Sequence, residues 1–93
     1  MALLSDRQIA EALKSLPAWE LLGSEIVRSL RFPDFMAGIA AINRIAEAAE
    51  AADHHPDIDI RYRNIKFVLS THDQGGLTEK DISLAHQIDE FVS

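Results

Sequence analysis

The sequence predicts an α+β fold, in which a four-stranded antiparallel sheet has its helices packed on one face, in the order α-β-β-α-β-β-α. Apolar residues recur at helical spacing in three segments, and between those segments they alternate with a period of two. The alternating runs come in two adjacent pairs, and paired strands separated by helices are typical of this architecture. At 93 residues the chain has room for a single domain, residues 1–93, with one modest core.

A cap and a turn define the first helix and the first strand pair. Ser5 precedes Gln8 by three positions, a capping-box spacing that predicts a helix over about residues 6–15. Beyond this helix, two β-rich runs, WELL and EIVRSLRF, flank Gly23-Ser24. A glycine-containing turn between two such runs predicts a β-hairpin.

Helical spacing also marks the middle and the C-terminal helices. After Pro33-Asp34, the predicted buried positions of the middle helix are Phe35, Ile39, Ile42, Ala46 and Ala49. Its many alanines favour the helix and leave a smooth surface that another helix could approach closely. The last helix is predicted to begin after the cap residue Thr78, with an acidic residue at its third position. Its predicted buried stripe is Ile82, Ala85, Ile88 and Val92.

A change of phase indicates the second strand pair. Apolar residues move from even to odd positions along the chain, in the series Ile58, Ile60, Tyr62, Ile65, Phe67 and Leu69. A shift of one residue within a single straight strand would turn its apolar face to solvent. We therefore predict two strands that are joined by a turn or bulge at Arg63-Asn64.

The composition argues against several classes of function. Fifteen acidic and nine basic side chains give a net charge of −6, which argues against direct binding of nucleic acid. The absence of cysteine removes disulfides, thiol catalysis and cysteine-based zinc sites. The N-terminus has the pattern of a helix start and not of a signal peptide, and no apolar run approaches the roughly 20 residues needed to cross a bilayer. We therefore expect a soluble cytoplasmic protein without a membrane partner.

The stretch DHHP, from Asp53 to Pro56, places two histidines side by side at the end of the long helix. A residue before proline is pushed out of the α region, so His55 is expected to be extended and the helix to end near Asp53 or His54. His54 then lies at a helix C-terminus, where the partial negative charge, Asp53 and Glu50 favour the protonated imidazole. Such a ring is a good proton donor and a poor metal ligand. A simple cap would explain one of these rings but not both, because they leave the chain in different directions.

Two further histidines lie outside this stretch. His72 ends the last strand in the run STH, beside a glycine loop, where it could line a cleft or simply occupy a turn. His86 lies in the last helix and is expected to be structural or exposed. Adjacent histidines point apart, and the H-x-H and H-x₃-H spacings are absent, so the sequence argues against a metal site built from His54, His55 and His72.

The stretch DHHP, followed about fifteen residues later by STHDQGGLTEKD, resembles the pterin-4a-carbinolamine dehydratases over nearly the whole chain. The resemblance implies that water is removed from the 4a-hydroxytetrahydropterin left by aromatic amino acid hydroxylases, giving quinonoid dihydropterin. It implies a pterin substrate, and neither a metal nor an organic cofactor. Members of this family pair through their sheets, so a homodimer or a homotetramer is expected.

The resemblance assigns the family's motif histidines to His54, His55 and His72, and its acidic partners to Glu50 and Asp81. We expect His54 and His72 to act as acid and base, in either order, and His55 to bind the polar edge of the pterin. Glu50 is expected to orient His54, and Asp81 to hold a histidine or to bond the pterin. The remaining residues expected to orient groups or to bind substrate are Asp53, Pro56, Ser70 and Thr71.

Two other functions remain open at this point. The chain could be a non-catalytic dimerisation module or transcriptional cofactor of the same fold, or a protein that binds or delivers a metal. One departure from the family concerns the substrate: some members carry an aromatic residue just after HHP, whereas this chain has Asp57-Ile58-Asp59-Ile60. If that aromatic residue forms part of the wall of the pterin site, the wall is expected to be aliphatic here.

Overall fold

A computed structural model describes residues 2–92 and contains the predicted four-stranded antiparallel sheet with helices on one face. The strand order in the sheet is β1-β2-β4-β3, so β1 and β3 are its edges. No helix among the described residues is both long and apolar enough to span a membrane. The elements are α1 (Asp6–Leu13), β1 (Glu20–Leu22), β2 (Glu25–Arg31), α2 (Phe35–Ala52), β3 (Asp57–Arg61), β4 (Asn64–Leu69) and α3 (Glu79–Val92).

The core lies between one face of the sheet and the helices. The strand register pairs Ile26 with Leu69 and Ile58 with Phe67, and alternate residues of each strand therefore point toward the helices. The helix α2 approaches the sheet closely at Gly38, where an added Cβ would lie 2.8 Å from the Cδ1 atom of Ile65. The fully or nearly fully buried apolar side chains include Ile26, Ile45, Ile65, Phe67, Leu69, Leu84 and Ile88.

The turn between β3 and β4 lies one residue earlier than predicted. Arg61 pairs with Asn64 in the register, which leaves Tyr62 and Arg63 as the two turn residues. Tyr62 has a left-handed φ of 57°, which is uncommon for an aromatic residue, and its side chain is 68% exposed. Tyr62 belongs to the turn, so its even-numbered position does not indicate which face of β3 is buried.

The predicted faces of the helices need correction. The helix α1 ends at Leu13, before residue 15, and α2 buries Gly38, Ala41, Ile45 and Ala49 instead of the predicted stripe. Of that stripe only Ala49 is buried; Ile39 and Ile42 are half-buried, whereas Phe35 and Ala46 are exposed. Small residues face the sheet because they allow α2 to approach it closely. The helix α3 buries Ile82, Ala85 and Ile88 as predicted and adds Asp81 and Leu84, whereas Val92 is half-buried.

A polar contact ties α3 to the inner face of the sheet. Arg28 points inward from β2 and forms an ion pair with Asp89 of α3. The same carboxylate oxygen accepts a hydrogen bond from the indole N–H of Trp19 at 2.8 Å. The Trp19 side chain is only 5% exposed, so its N–H would lose its partner inside the protein if Asp89 were removed.

We predict that Asp89→Ala lowers the free energy of unfolding by about 1–3 kcal/mol, because it leaves the indole N–H and the Arg28 guanidinium without an acceptor. Denaturant unfolding of the variant and of the parent protein measures this difference. Glu47→Ala is the matched control, since Glu47 is exposed and makes no ion pair within residues 2–92. Equal unfolding midpoints for Asp89→Ala and Glu47→Ala would contradict the prediction.

Candidate active site

The C-terminus of α2 sets the direction in which the two adjacent histidines leave the helix. Asp53 follows the last helical residue in the left-handed conformation, with φ 51° and ψ 45°. Aspartate tolerates this conformation better than most residues other than glycine. The N–H of His54 then donates to the carbonyl of Ala49 at 3.0 Å, which closes the helix end. The His54 ring is thereby enclosed, with the residue only 9% exposed.

Asp81 is the buried partner of His54. One carboxylate oxygen of Asp81 lies 2.5 Å from the Nε2 atom of His54. The other oxygen accepts hydrogen bonds from the Thr71 hydroxyl at 2.8 Å and from the backbone N–H of Thr78 at 2.9 Å. Both oxygens of this carboxylate, which is 0% exposed, are therefore satisfied. Such partners are needed because an isolated buried carboxylate is strongly unfavourable.

The second ring nitrogen of His54 retains some accessible surface. Among the described residues, no buried side-chain nitrogen or oxygen atom lacks a hydrogen-bond partner. The Nδ1 atom of His54 has no partner among residues 2–92, so it cannot be a sealed atom and must have accessible surface. The ring therefore has one nitrogen against a buried carboxylate and the other with accessible surface and no protein partner among residues 2–92.

Glu50 contacts His55, and our expectation that it orients His54 was wrong. A carboxylate oxygen of Glu50 lies 2.6 Å from the Nε2 atom of His55, and both side chains are more than half exposed. The physical reason is the left-handed residue Asp53, which turns the chain so that His54 points to α3 while His55 returns alongside the last turn of α2. His54 is therefore held by Asp81 and not by Glu50.

His72, which follows the end of β4, lies in the same part of the molecule as His54 and His55. It begins a short 3-10 turn, His72–Gln74, that is closed by a bridge between Thr71 and Gly76. Its Nε2 atom lies 3.8 Å from a carboxylate oxygen of Asp57, and both side chains are largely exposed. Together with the end of α2, this turn forms an open cleft of about 300 Å³, lined by Asp53, His54, His55, Ser70, Thr71, His72 and Asp73.

The structure thus brings most of the predicted site residues together. His54, His55, His72, Asp53, Ser70 and Thr71 all line the cleft, whereas Glu50, Pro56 and Asp81 do not. Asp81 contacts two lining residues, His54 and Thr71, and Glu50 contacts one, His55. Pro56 disfavours the α conformation for His55. His86, as expected, is exposed, with its Nε2 atom 3.3 Å from the Ser15 hydroxyl.

The sequence did not reveal the site roles of three residues or the polar character of the cleft lining. Asp57 and Asp73 carried no recognisable signal, and Thr78 was identified only as a helix cap, although its N–H also holds Asp81. The expected aliphatic wall is absent from the cleft lining. Ile58 is instead half-buried and paired with Phe67 on the inner face of the sheet, so the cleft is lined mainly by polar side chains.

The arrangement is suited to moving protons. Each imidazole faces a carboxylate, at 2.5 Å for His54, 2.6 Å for His55 and 3.8 Å for His72. Only the first pair is buried, so the three rings differ in how tightly they are held. Within residues 2–92, no three side chains of the metal-binding types are grouped so that they could hold an ion.

Comparison with known proteins gives a consistent family relationship. The profile of the family described as "Pterin 4 alpha carbinolamine dehydratase" matches residues 2–91. A protein of Nocardia farcinica is 60% identical over 90 residues, covering 97% of this chain and 95% of its own length. One of Mycobacterium sp. (strain KMS) is 53% identical over 92 residues, covering 99% and 98%. Both relatives bear the name pterin-4-alpha-carbinolamine dehydratase as a provisional assignment.

A solved structure supports the same fold. The crystal structure of a protein of Brucella melitensis, described as a transcriptional coactivator/pterin dehydratase, superimposes with a TM-score of 0.96. The two chains share 31% identity, and the match covers 99% of this chain and all of the Brucella chain.

Proposed function

We propose that this chain, which belongs to the pterin-4a-carbinolamine dehydratase family, removes water from a 4a-hydroxytetrahydropterin to give the quinonoid dihydropterin. The observation that carries the proposal is the convergence of His54, His55 and His72 on one cleft, with Asp81 buried behind His54. In this role the protein would regenerate the pterin cofactor of aromatic amino acid hydroxylases.

The reaction requires two proton transfers, one to the leaving hydroxyl and one from the neighbouring ring nitrogen of the substrate. Positioned side chains that exchange protons near neutral pH typically contribute about 10²–10⁴-fold to a rate. Imidazoles have this property, and the scheme needs neither a nucleophile nor a change of oxidation state.

His54 is the better candidate for the base. When Asp81 is ionised, the Nε2–H of His54 donates to it, and the accessible Nδ1 atom is left with a lone pair that can accept the substrate's proton. The positive charge that then forms on the ring faces the buried carboxylate of Asp81. The carboxylate stabilises this charge, as the aspartate of a Ser-His-Asp triad stabilises the protonated catalytic histidine. His72, on the exposed rim of the cleft, would deliver a proton to the leaving hydroxyl.

His55 and Glu50 are assigned to substrate binding. The pair is exposed, and its two polar groups could hydrogen-bond the amino and carbonyl groups on the polar edge of a pterin. A cleft of about 300 Å³ lies at the small end of the usual range for ligand sites, which suits one bicyclic ring.

Exposed apolar side chains favour association with another protein chain. At the start of α2, Phe35 is 44% exposed and Met36 is 70% exposed. We expect them to be covered in a homodimer or homotetramer, to which the free edge strands could also contribute. The same surface supports a second candidate function, a non-catalytic module that binds another protein, and the description of the Brucella protein names a coactivator as well as a dehydratase.

We predict that His54→Gln and His72→Ala each remove about 10²-fold or more of the acceleration of carbinolamine dehydration, because each deletes one of the two proton transfers. Glutamine is chosen at position 54 because its amide can still donate to Asp81, whereas alanine would leave a buried carboxylate uncompensated. The absorbance change of the pterin on addition of purified protein measures the rate.

His86→Ala is the matched control, since His86 is exposed and outside the cleft, and it should retain the full rate. Thermal unfolding of each variant separates loss of chemistry from loss of the fold. Folded His54→Gln and His72→Ala proteins that keep most of the parental acceleration would overturn the catalytic assignment and leave the protein-binding function as the better account.

For the assembly, we predict that Met36→Glu reduces the molar mass measured in solution by light scattering, because it places a charge in the expected interface. Leu3→Glu is the control, since Leu3 is 49% exposed and lies outside α2. A parent protein that has the mass of one chain at all concentrations would contradict the prediction.

A further inference from the structure

The outer face of the sheet, opposite the helices, carries a group of basic side chains that the proposed function does not use. Arg31 on β2 and Arg61 on β3 are both paired in register with Asn64 on β4, so the two arginines flank one residue of the central strand. Lys66 lies two positions further along β4 and therefore points to the same face. These side chains line a groove of about 430 Å³, larger than the histidine cleft.

The charges in this groove are not balanced. Its one carboxylate, Asp59, contacts the Nε atom of Arg61 at 3.1 Å. Arg31 and Lys66 have no carboxylate within ion-pair distance among residues 2–92. Three cations and one carboxylate leave a surplus of two positive charges, on a chain whose net charge is −6. The acidic residues Glu20 and Glu25 lie on the same face but toward β1, so the positive charge is confined to one end.

The spacing suits a single anion. Neighbouring strands lie about 4.8 Å apart, so the Cα atoms of Arg31 and Arg61 are separated by about 10 Å across Asn64. Both side chains can reach an ion that lies above Asn64, with Lys66 approaching from along the strand. Guanidinium groups bind oxyanions with pairs of parallel hydrogen bonds.

We propose that this groove is a binding site for the phosphate group of a small phosphorylated molecule. A phosphate monoester offers three terminal oxygens, which matches three cationic groups arriving from different directions, whereas a carboxylate offers only two. The groove lies at the Arg61 end of β3, and the histidine cleft lies at the Asp57 end, about 13 Å away along the strand. The site therefore goes beyond the proposed dehydration and does not depend on it.

The test is a titration of the full chain with inorganic phosphate at constant ionic strength, followed by amide chemical shifts. We expect saturable shifts at Ser29, Arg31, Asn64 and Lys66, and much smaller changes when acetate replaces phosphate. Arg31→Gln and Lys66→Gln should each weaken the apparent affinity by about twofold to fivefold, the range expected for one exposed ionic contact.

Two further variants make the test specific. Arg44→Gln removes the same charge from an exposed position on α2 and should leave the affinity unchanged, because Arg44 is outside the groove. Asp59→Asn should tighten binding, because it releases Arg61, whereas Glu20→Gln should change it less. Shifts that do not saturate, that acetate reproduces, or that Arg44→Gln weakens as much as Arg31→Gln would overturn the proposal. Dehydration of a pterin by these variants is measured separately, so failure of either proposal leaves the other intact.

Discussion

The site depends on one buried carboxylate. Asp81 is fully enclosed at the start of α3, and its two oxygens are shared among the His54 ring, the Thr71 hydroxyl and the Thr78 N–H. These three groups come from the end of α2, from the end of β4 and from the start of α3. One side chain therefore fixes the relative positions of the elements that form the cleft, because an unpaired carboxylate at this depth would be strongly unfavourable.

Other parts of the fold support the contact between His54 and Asp81 without touching Asp81. The left-handed conformation of Asp53 lets α2 end and turns His54 inward, while His55 contacts Glu50 on the last turn of that helix. On the far side of α3, Asp89 is joined to Arg28 and Trp19, so the helix that carries Asp81 is held to the sheet a second time. The three imidazoles thus differ in burial: His54 is enclosed, whereas His55 and His72 are exposed.

Much of the fold could be predicted from the sequence, because periodicity and caps are local signals. The capping box at Ser5 and the phase change after Ile60 both led to elements that the structure contains. The buried face of α2 could not be predicted in the same way, since the close approach at Gly38 depends on where the sheet lies. The histidines of the site were identified, and Asp81 holds one of them, which was one of the two roles expected for it, but Glu50 was assigned to the wrong ring. Whether Glu50 meets His54 or His55 is decided by the backbone of Asp53, a single residue whose conformation periodicity does not reveal.

The most direct test of this account is a measurement of the His54 ring by long-range proton–nitrogen NMR as a function of pH. We predict that the neutral ring carries its proton on Nε2, because this atom donates to Asp81, and that Nδ1 holds the lone pair. A neutral ring with its proton on Nδ1 would contradict this prediction, since the accessible nitrogen would then be unable to accept a proton.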